Sequence, residues 1–406
     1  MGNFEMSAET TAEQFIRAWL RFFFLLSLLV ACFTCTMDPY LLVGTPRIPG
    51  FNARKPAADT QQALMKAYDV FRVKPKTLIL GSSRAALGLD GLDPVWPQEH
   101  RPVYNLALPL AGPDVAYGYL IHALVGGCPI SLVVLTTEFE YWIDFDNYAK
   151  DELARHISAT SSGRGQKLPT RVVLHDFFMA IFSLTALEDG IKTLTAYLRN
   201  DPEDLVAGNW TDSWWAQAER FKSIPYSSFM RSDVGFVKFF SKKTLTSKPT
   251  VALRAIADLC RQRNIRLIVI LSPSHAEESE MLDWLGYSAA IERWKRELVE
   301  LTANYGAELW DFDDYNSFTM EPVPMSKRPM QWFFDPEHYS REMGHEILNR
   351  IFDGGDPVLG TRLSSLSIER HLRERRQHQH EFEQGHKLEI QTMRAIYEST
   401  ARSGNW

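Results

Sequence analysis

The stretch Thr77-Leu78-Ile79-Leu80-Gly81-Ser82-Ser83-Arg84 decides how this chain is read. A short apolar run containing β-branched Thr77 and Ile79 reads as a buried strand, and Gly81-Ser82-Ser83 breaks it at the carboxyl end. In open α/β sheets that rim is where strands stop, helices begin and ligands bind. Two serine hydroxyls are therefore delivered to it. A serine so placed is a nucleophile if a base lies close, or only the N-cap of the next helix, a position Ser favours.

Far along the chain, Phe334-Asp335-Pro336-Glu337-His338 offers the base. Asp and His three residues apart occupy one tight turn or first helical turn, so the carboxylate reaches the imidazole. Such a pair completes a Ser-His-Asp relay, in which the imidazole takes the serine proton and the carboxylate fixes its tautomer and stabilises its cation. The competing reading is a surface turn with Asp335 as an N-cap and His338 exposed. A second histidine, His275, follows the apolar run 265–271 and also falls at the rim. It lacks an acid three residues away, which ranks it below His338 and assigns it to the pocket lining.

Outward from these segments the pattern alternates. Strands at 77–80, 103–106, 130–135, 265–271 and 307–312 are separated by helical stretches at 113–125, 251–263 and 288–305, which predicts a mostly parallel sheet with helices on both faces. From 142 to 249 helical periodicity replaces the alternation, and this stretch reads as an insertion over the sheet rim. Its Trp210, Trp214 and Trp215 either belong to a core or line a sugar-binding surface. Beyond 355 the chain becomes a charged helical tail with scattered His371, His378, His380 and His386. No acid or cysteine stands at ligand spacing to them, so a solvated helix is expected and no metal or cofactor.

In this order, Gly81-Ser82-Ser83 and Asp335-Pro336-Glu337-His338 resemble the blocks of the SGNH (GDSL-like) hydrolase superfamily, over roughly residues 38 to 355. The resemblance implies an SGNH-like three-layer sandwich with Ser83 as nucleophile, His338 as base and Asp335 as acid. The nearest likeness is to membrane-anchored members that work beside membrane-bound O-acyltransferases in acetylating exopolysaccharides or D-alanylating teichoic acids; Asp38-Pro39-Tyr40 and the following Gly50, Asn52 and Lys55 also resemble them. The second block matches 103–112 and implies Gly112 as a backbone N–H donor to the oxyanion and Asn105 as a loop-shaping residue. The third block departs. Where an asparagine is expected after the strand, the chain reads Thr136-Thr137-Glu138-Phe139-Glu140. A carboxylate facing a developing oxyanion repels it, so Glu138 is turned away, protonated, or a sign of a different role.

The amino terminus sets the location. Residues 1–14 form a polar tail, and residues 22–37 carry no charge; counted from Ala18, with Arg21 snorkelling, the segment reaches the roughly 20 residues a bilayer span needs. Arg17 and Arg21 precede it, predicting a cytoplasmic amino terminus and a periplasmic or extracellular body on a bacterial inner membrane. Leu29-Val30-Ala31-Cys32 also resembles a lipobox, the alternative being a lipoprotein cleaved before Cys32. The expected organisation is a signal anchor at 15–37, a linker and entry helix at 38–75, an SGNH-like domain at 76–355 and the tail at 356–406. A net charge of -6 gives no support for nucleic-acid binding. Cys128 and Cys260 read as buried thiols rather than a disulfide. The expected function is an esterase or O-acyltransferase acting on an acylated glycan or other acyl ester. The rival is a catalytically silent subunit holding a membrane-bound O-acyltransferase or polysaccharide export partner.

Overall fold

The computed structural model describes residues 2–143, 154–157, 169–196, 225–241, 243–325 and 328–402. Trp210, Trp214 and Trp215 lie outside them. In chain order come α1 (Gly2–Met37), α2 (Gln62–Val73), β1 (Thr77–Leu80), α3 (Ser83–Gly88), β2 (Val103–Asn105), α4 (Pro113–Val125) and β3 (Leu132–Thr137). Three helices follow: α5 (Thr170–Phe182), α6 (Leu184–Thr195) and α7 (Pro225–Phe240). The alternation then resumes with α8 (Lys248–Gln262), β4 (Arg266–Leu271), α9 (Ala276–Trp284), α10 (Ser288–Tyr305) and β5 (Glu308–Asp311). Last come α11 (Arg341–Phe352), β6 (Thr361–Leu363), α12 (Ile368–Gly385) and α13 (Lys387–Arg402).

These elements form two compact units, Met1–Met65 with Leu168–Val206, and Lys66–Lys167 with Ala207–Trp406. The stretch 142–249, expected as one insertion, is divided between them. In the first unit, the segment Thr11–Met37 of α1 is long and apolar enough to cross a membrane and is largely uncovered by protein. Its carboxyl end is closed by the residues that follow. The Asp38 carboxylate accepts the N–H groups of Val43, Gly44 and Thr45 at 3.1, 2.8 and 3.1 Å. Asn52 donates to Thr36 O at 2.7 Å, and the buried Lys55 ammonium donates to Met37 O. The Asn52 and Lys55 bonds satisfy carbonyls that a helix end leaves without partners. Residues 38–55, expected as an extended linker, thus fold back as a cap. Helices α5 and α6 meet at a 55° bend and pack on α1. The Thr34 hydroxyl donates to Ile181 O at 2.8 Å, and Tyr40 donates to Asp189 at 2.7 Å.

The second unit is built on one six-stranded sheet in the order β2-β1-β3-β4-β5-β6. The first five strands are parallel and β6 pairs antiparallel with β5. The central strands β1 and β3 are buried along their whole length, as strands covered on both faces must be, and their sequences are accordingly continuous apolar runs. One face packs Ile79, Val134, Ile268 and Ile270 against Met343, Ile347 and Leu348 of α11. The tail is part of this unit. It returns to the sheet as β6 and then docks: α12 lies on α10, and α13 on α7 and α9. The buried His371 donates to Asp311 at 2.8 Å, and Asp311 also pairs with buried Lys295 at 2.7 Å. The expectation of a merely solvated tail helix is corrected here, because three apolar anchors, Ile368, Leu372 and Phe382, go inward between the charges.

Candidate active site

Gly81 makes the step from β1 to α3 possible. Its φ of +143° is closed to other residues, and a Cβ there would stand 2.1 Å from the Thr136 hydroxyl on β3. The chain turns there, Ser82 caps α3 by accepting the Arg84 N–H at 3.1 Å, and Ser83 opens the helix with a partly exposed side chain. The two serines therefore divide the two roles open to them. Ser82 is the cap, and Ser83 is the hydroxyl left to the cavity's other side chains.

On the other side, the segment Phe333–Tyr339 closes on itself. Phe334 N–H donates to His338 O at 2.9 Å, while the Asp335 carboxylate accepts the N–H groups of Glu337 and His338 at 2.9 and 2.8 Å. The same carboxylate lies 2.9 Å from His338 Nδ1, leaving Nε2 to point at Ser83 Oγ, also 2.9 Å away. What brings residues 255 positions apart into contact is a glycine pair. Helices α3 and α11 touch so closely that a Cβ on Gly344 would fall 1.7 Å from Gly88 O. Gly88 in turn leaves room for the Tyr339 ring, which a Cβ there would meet at 1.8 Å, so the helix that begins at Ser83 packs directly on the segment that carries His338.

The electrostatics follow from this packing. Burial pushes the Asp335 carboxyl up, but the His338 charge, its side-chain hydrogen bond and the two backbone N–H groups hold it below the usual carboxylate range. Burial would lower the His338 imidazole, yet Asp335 and its hydrogen bond raise it above the ordinary value. The pair is thus matched so that the imidazole readily holds a proton delivered to Nε2.

Around Ser83 lies a cavity of about 380 Å³. Leu110, Tyr141, Phe236, Phe239 and Phe240 form its apolar walls, and Glu138, Glu140, Glu337 and Arg84 its charged side. Helix α7 supplies the phenylalanines. Arg84, buried beside the nucleophile, donates to Ser274 at 2.7 Å, Glu140 at 2.9 Å and Glu278 at 2.6 Å. A larger cavity of about 510 Å³ lies along α7, between Phe229, Asp233, Glu277 and Met393, and includes none of Ser83, Asp335 and His338.

The other residues expected at the site are placed as follows. Asn105 is turned onto backbone, donating to Ala85 O and Leu89 O at 2.9 and 2.7 Å and accepting Ala107 N–H at 3.1 Å, so it shapes the turn beneath α3. Gly112 caps α4 under Tyr141, whose ring would be 2.8 Å from a Cβ; the cavity wall takes Leu110 from this loop, not Gly112. His275 does not line the Ser83 cavity, which corrects that expectation. Its ring is buried between Phe229 and Phe333, its Nε2 bonds Glu321 O at 2.7 Å, and its Nδ1 accepts Glu277 N–H at 3.3 Å. Burial lowers its pKa to about 4, so it is a neutral helix cap. Its backbone N–H donates to Pro336 O at 2.9 Å and so braces the Asp335 turn. Sequence reading missed Arg84, Tyr141, Glu337 and the α7 aromatics. Only the adjacency of Arg84 to the serine block and of Glu337 to His338 could have flagged two of them. Among the described residues no cluster of side chains could hold a metal ion.

Comparison with family models, with curated proteins and with solved structures finds no match for this chain.

Proposed function

We propose that this chain is a membrane-anchored, extracytoplasmic serine esterase or O-acyltransferase of SGNH type, acting on an acylated cell-surface or secreted glycan. The observation that carries the reading is the continuous relay from Ser83 Oγ through His338 to Asp335, with both contacts at 2.9 Å. Ser83 Oγ attacks the ester carbonyl while its proton passes to His338 Nε2, and Asp335 stabilises the imidazolium so formed. Collapse of the tetrahedral intermediate breaks the ester C–O bond, and the leaving alkoxide takes the proton from His338. Water or a sugar hydroxyl, deprotonated by His338, then removes the acyl group from Ser83. The SGNH resemblance adds the Ser83 backbone N–H as an oxyanion donor; Gly112, which it also implies, caps α4 and does not line the cavity.

The cavity supports a small acyl group on a polyhydroxyl body. Phe236, Phe239 and Phe240 offer ring faces to the apolar side of a sugar, and the glutamates offer acceptors to its hydroxyls. The segment Thr11–Met37 serves as the anchor with the amino terminus inside, and the apolar run that continues past Cys32 to Met37 favours the uncleaved form over a lipoprotein. A membrane-bound O-acyltransferase is the partner class this arrangement suits. A second reading, a silent assembly subunit, is favoured by one observation, the carboxylic side chain of Glu138 where the resemblance calls for an asparagine. Hydrolysis of a small aryl acetate separates the two: the esterase reading expects turnover by the wild type and none by Ser83→Ala, and equal rates overturn it.

A further inference from the structure

Helices α5 and α6 are built inside out. On their surface Leu174, Phe178, Met179, Phe182, Leu184 and Ile191 are exposed, Leu174 to 65% and Leu184 to 84%, while Asp176 and Asp189 are buried. Water selects the reverse arrangement, so both halves of the pattern carry information. The spacing of Leu174, Phe178 and Phe182 runs an apolar stripe down α5 into the bend. Residues 177–187, the bend and about a turn on either side, carry no charged side chain. Charge stands away from it, as Arg171 in the first turn of α5 and as the exposed Glu188 and Lys192 of α6, paired at 3.0 Å.

The packing on α1 fixes the level of this bend. The Thr34 hydroxyl donates to Ile181 O at 2.8 Å, and Gly190 lies so near α1 that a Cβ there would stand 2.9 Å from the Phe33 ring. A hydroxyl bonded to the neighbouring helix and a small residue at the contact are the means by which helices associate in lipid. Past the end of the apolar segment the partners become polar: Tyr40 donates to Asp189 at 2.7 Å, and Arg54 to Ala196 O at 3.0 Å. Along α6 the chain thus passes from partners within Thr11–Met37 to partners beyond it. At about 1.5 Å per residue Thr34 stands about 4.5 Å inside the segment's end, near the depth of roughly 5–10 Å at which a helix lies between headgroups and acyl chains. The 13 residues of α5 reach only about 20 Å, against a hydrocarbon core of about 30 Å. Directed inward, α5 would set Arg171 near the middle of the bilayer, so its course is along the leaflet.

We propose that α5 and α6 form a second membrane-embedded element, an elbow that enters the outer leaflet beside α1 without crossing it and takes phospholipid acyl chains as its partner. The inference rests on the anchor reading of Thr11–Met37 and extends it. A lone helix turns freely about its own axis, whereas an elbow held in one leaflet fixes the rotation of this unit against the bilayer.

The test places spin labels on the full-length chain alone in phospholipid nanodiscs, with Cys32, Cys35, Cys128 and Cys260 replaced by alanine. The labelled positions are Phe182→Cys and Leu184→Cys at the bend, Leu28→Cys in α1 and Glu300→Cys on the exposed surface of α10. Each label is read for collision with oxygen, which concentrates in hydrocarbon, and with a nickel chelate, which stays in water. Phe182 and Leu184 are expected to share the preference of Leu28 for oxygen, at a shallower depth, with Glu300 showing the reverse. Bend labels open to nickel beside a shielded Leu28, the result for a face kept for another protein, overturn the proposal and leave the anchor standing; so do bend labels as deep as Leu28, the result for a second span. Leu28 open to nickel removes the anchor and the elbow together. If the cysteine-free chain does not fold, judged by its melting transition, p-benzoylphenylalanine at position 182 of the native chain decides. Irradiation in the nanodisc is expected to give phospholipid adducts by mass, and their absence while the same probe at position 28 gives them overturns the proposal.

Discussion

Two histidines sit at the same rim of the same sheet, and their fates diverge. His338 follows a carboxylate by three residues and His275 follows a strand by four. The first receives a charge-stabilising partner and is raised; the second receives a carbonyl and a backbone N–H and is lowered to about 4. Topology alone does not choose a base. The choice is made by what the Nδ1 atom meets, a carboxylate in one turn and an amide hydrogen in the other.

The comparison can be broken at its strongest point. Ser83→Ala and His338→Ala are each expected to lower aryl acetate kcat by about 10⁴–10⁶-fold, the range seen when members of such a relay are removed. His275→Gln should stay within about tenfold. An equal loss at both histidines would show that the rim distinguishes them less than the geometry implies.

Asp335→Asn sharpens it further, with an expected loss of about 10⁴-fold from the wrong tautomer. Because Asp335 raises His338, activity of the wild type should rise with pH through a value above the ordinary 6.5 of the imidazole. That limb should move to lower pH in Asp335→Asn, and a limb that stays in place would detach the carboxylate from the base.

Stability should carry the same contrast with opposite signs. The lowered His275 binds its proton more weakly in the folded state than when unfolded, so stability falls as pH drops from about 6.5 towards about 4, by roughly 3 kcal/mol. His275→Gln should flatten that acid slope in chemical denaturation. The raised His338 contributes stability that is complete below about 6.5 and lost as pH rises through its folded value. A smaller effect is expected at the helix contact. Gly344→Ala places a methyl against Gly88 O and should cost about 1–3 kcal/mol, read as a lowered Tm, together with reduced labelling of Ser83 as the relay is pulled apart.

Much of the sheet was legible because buried parallel strands are written as uninterrupted apolar runs, as in residues 132–135 and 267–271. β6 was not, since three edge residues with Arg362 in the middle look like any polar connection. Ser83, Asp335 and His338 could be picked out because their spacing carries chemistry. Buried Arg84 could not, because an arginine's burial depends on which acids the fold brings to it, here Glu140 and Glu278 from separate elements. The α7 phenylalanines were missed because an apolar helix face in the sequence does not say that it looks onto a serine. The docked tail was hidden for the reverse reason, its few inward positions outnumbered by charges that stay in water.

The aromatic wall beside Ser83 has a support of its own. Helix α7 is buttressed by α13, which is pinned to α9 where the Tyr397 hydroxyl donates to Trp284 O at 3.1 Å and the two rings lie 5.8 Å apart. The aromatic wall beside Ser83 therefore rests on a helix far from it in sequence, and a substitution at Tyr397 or Trp284 would reach the serine by loosening α7 rather than by touching the relay.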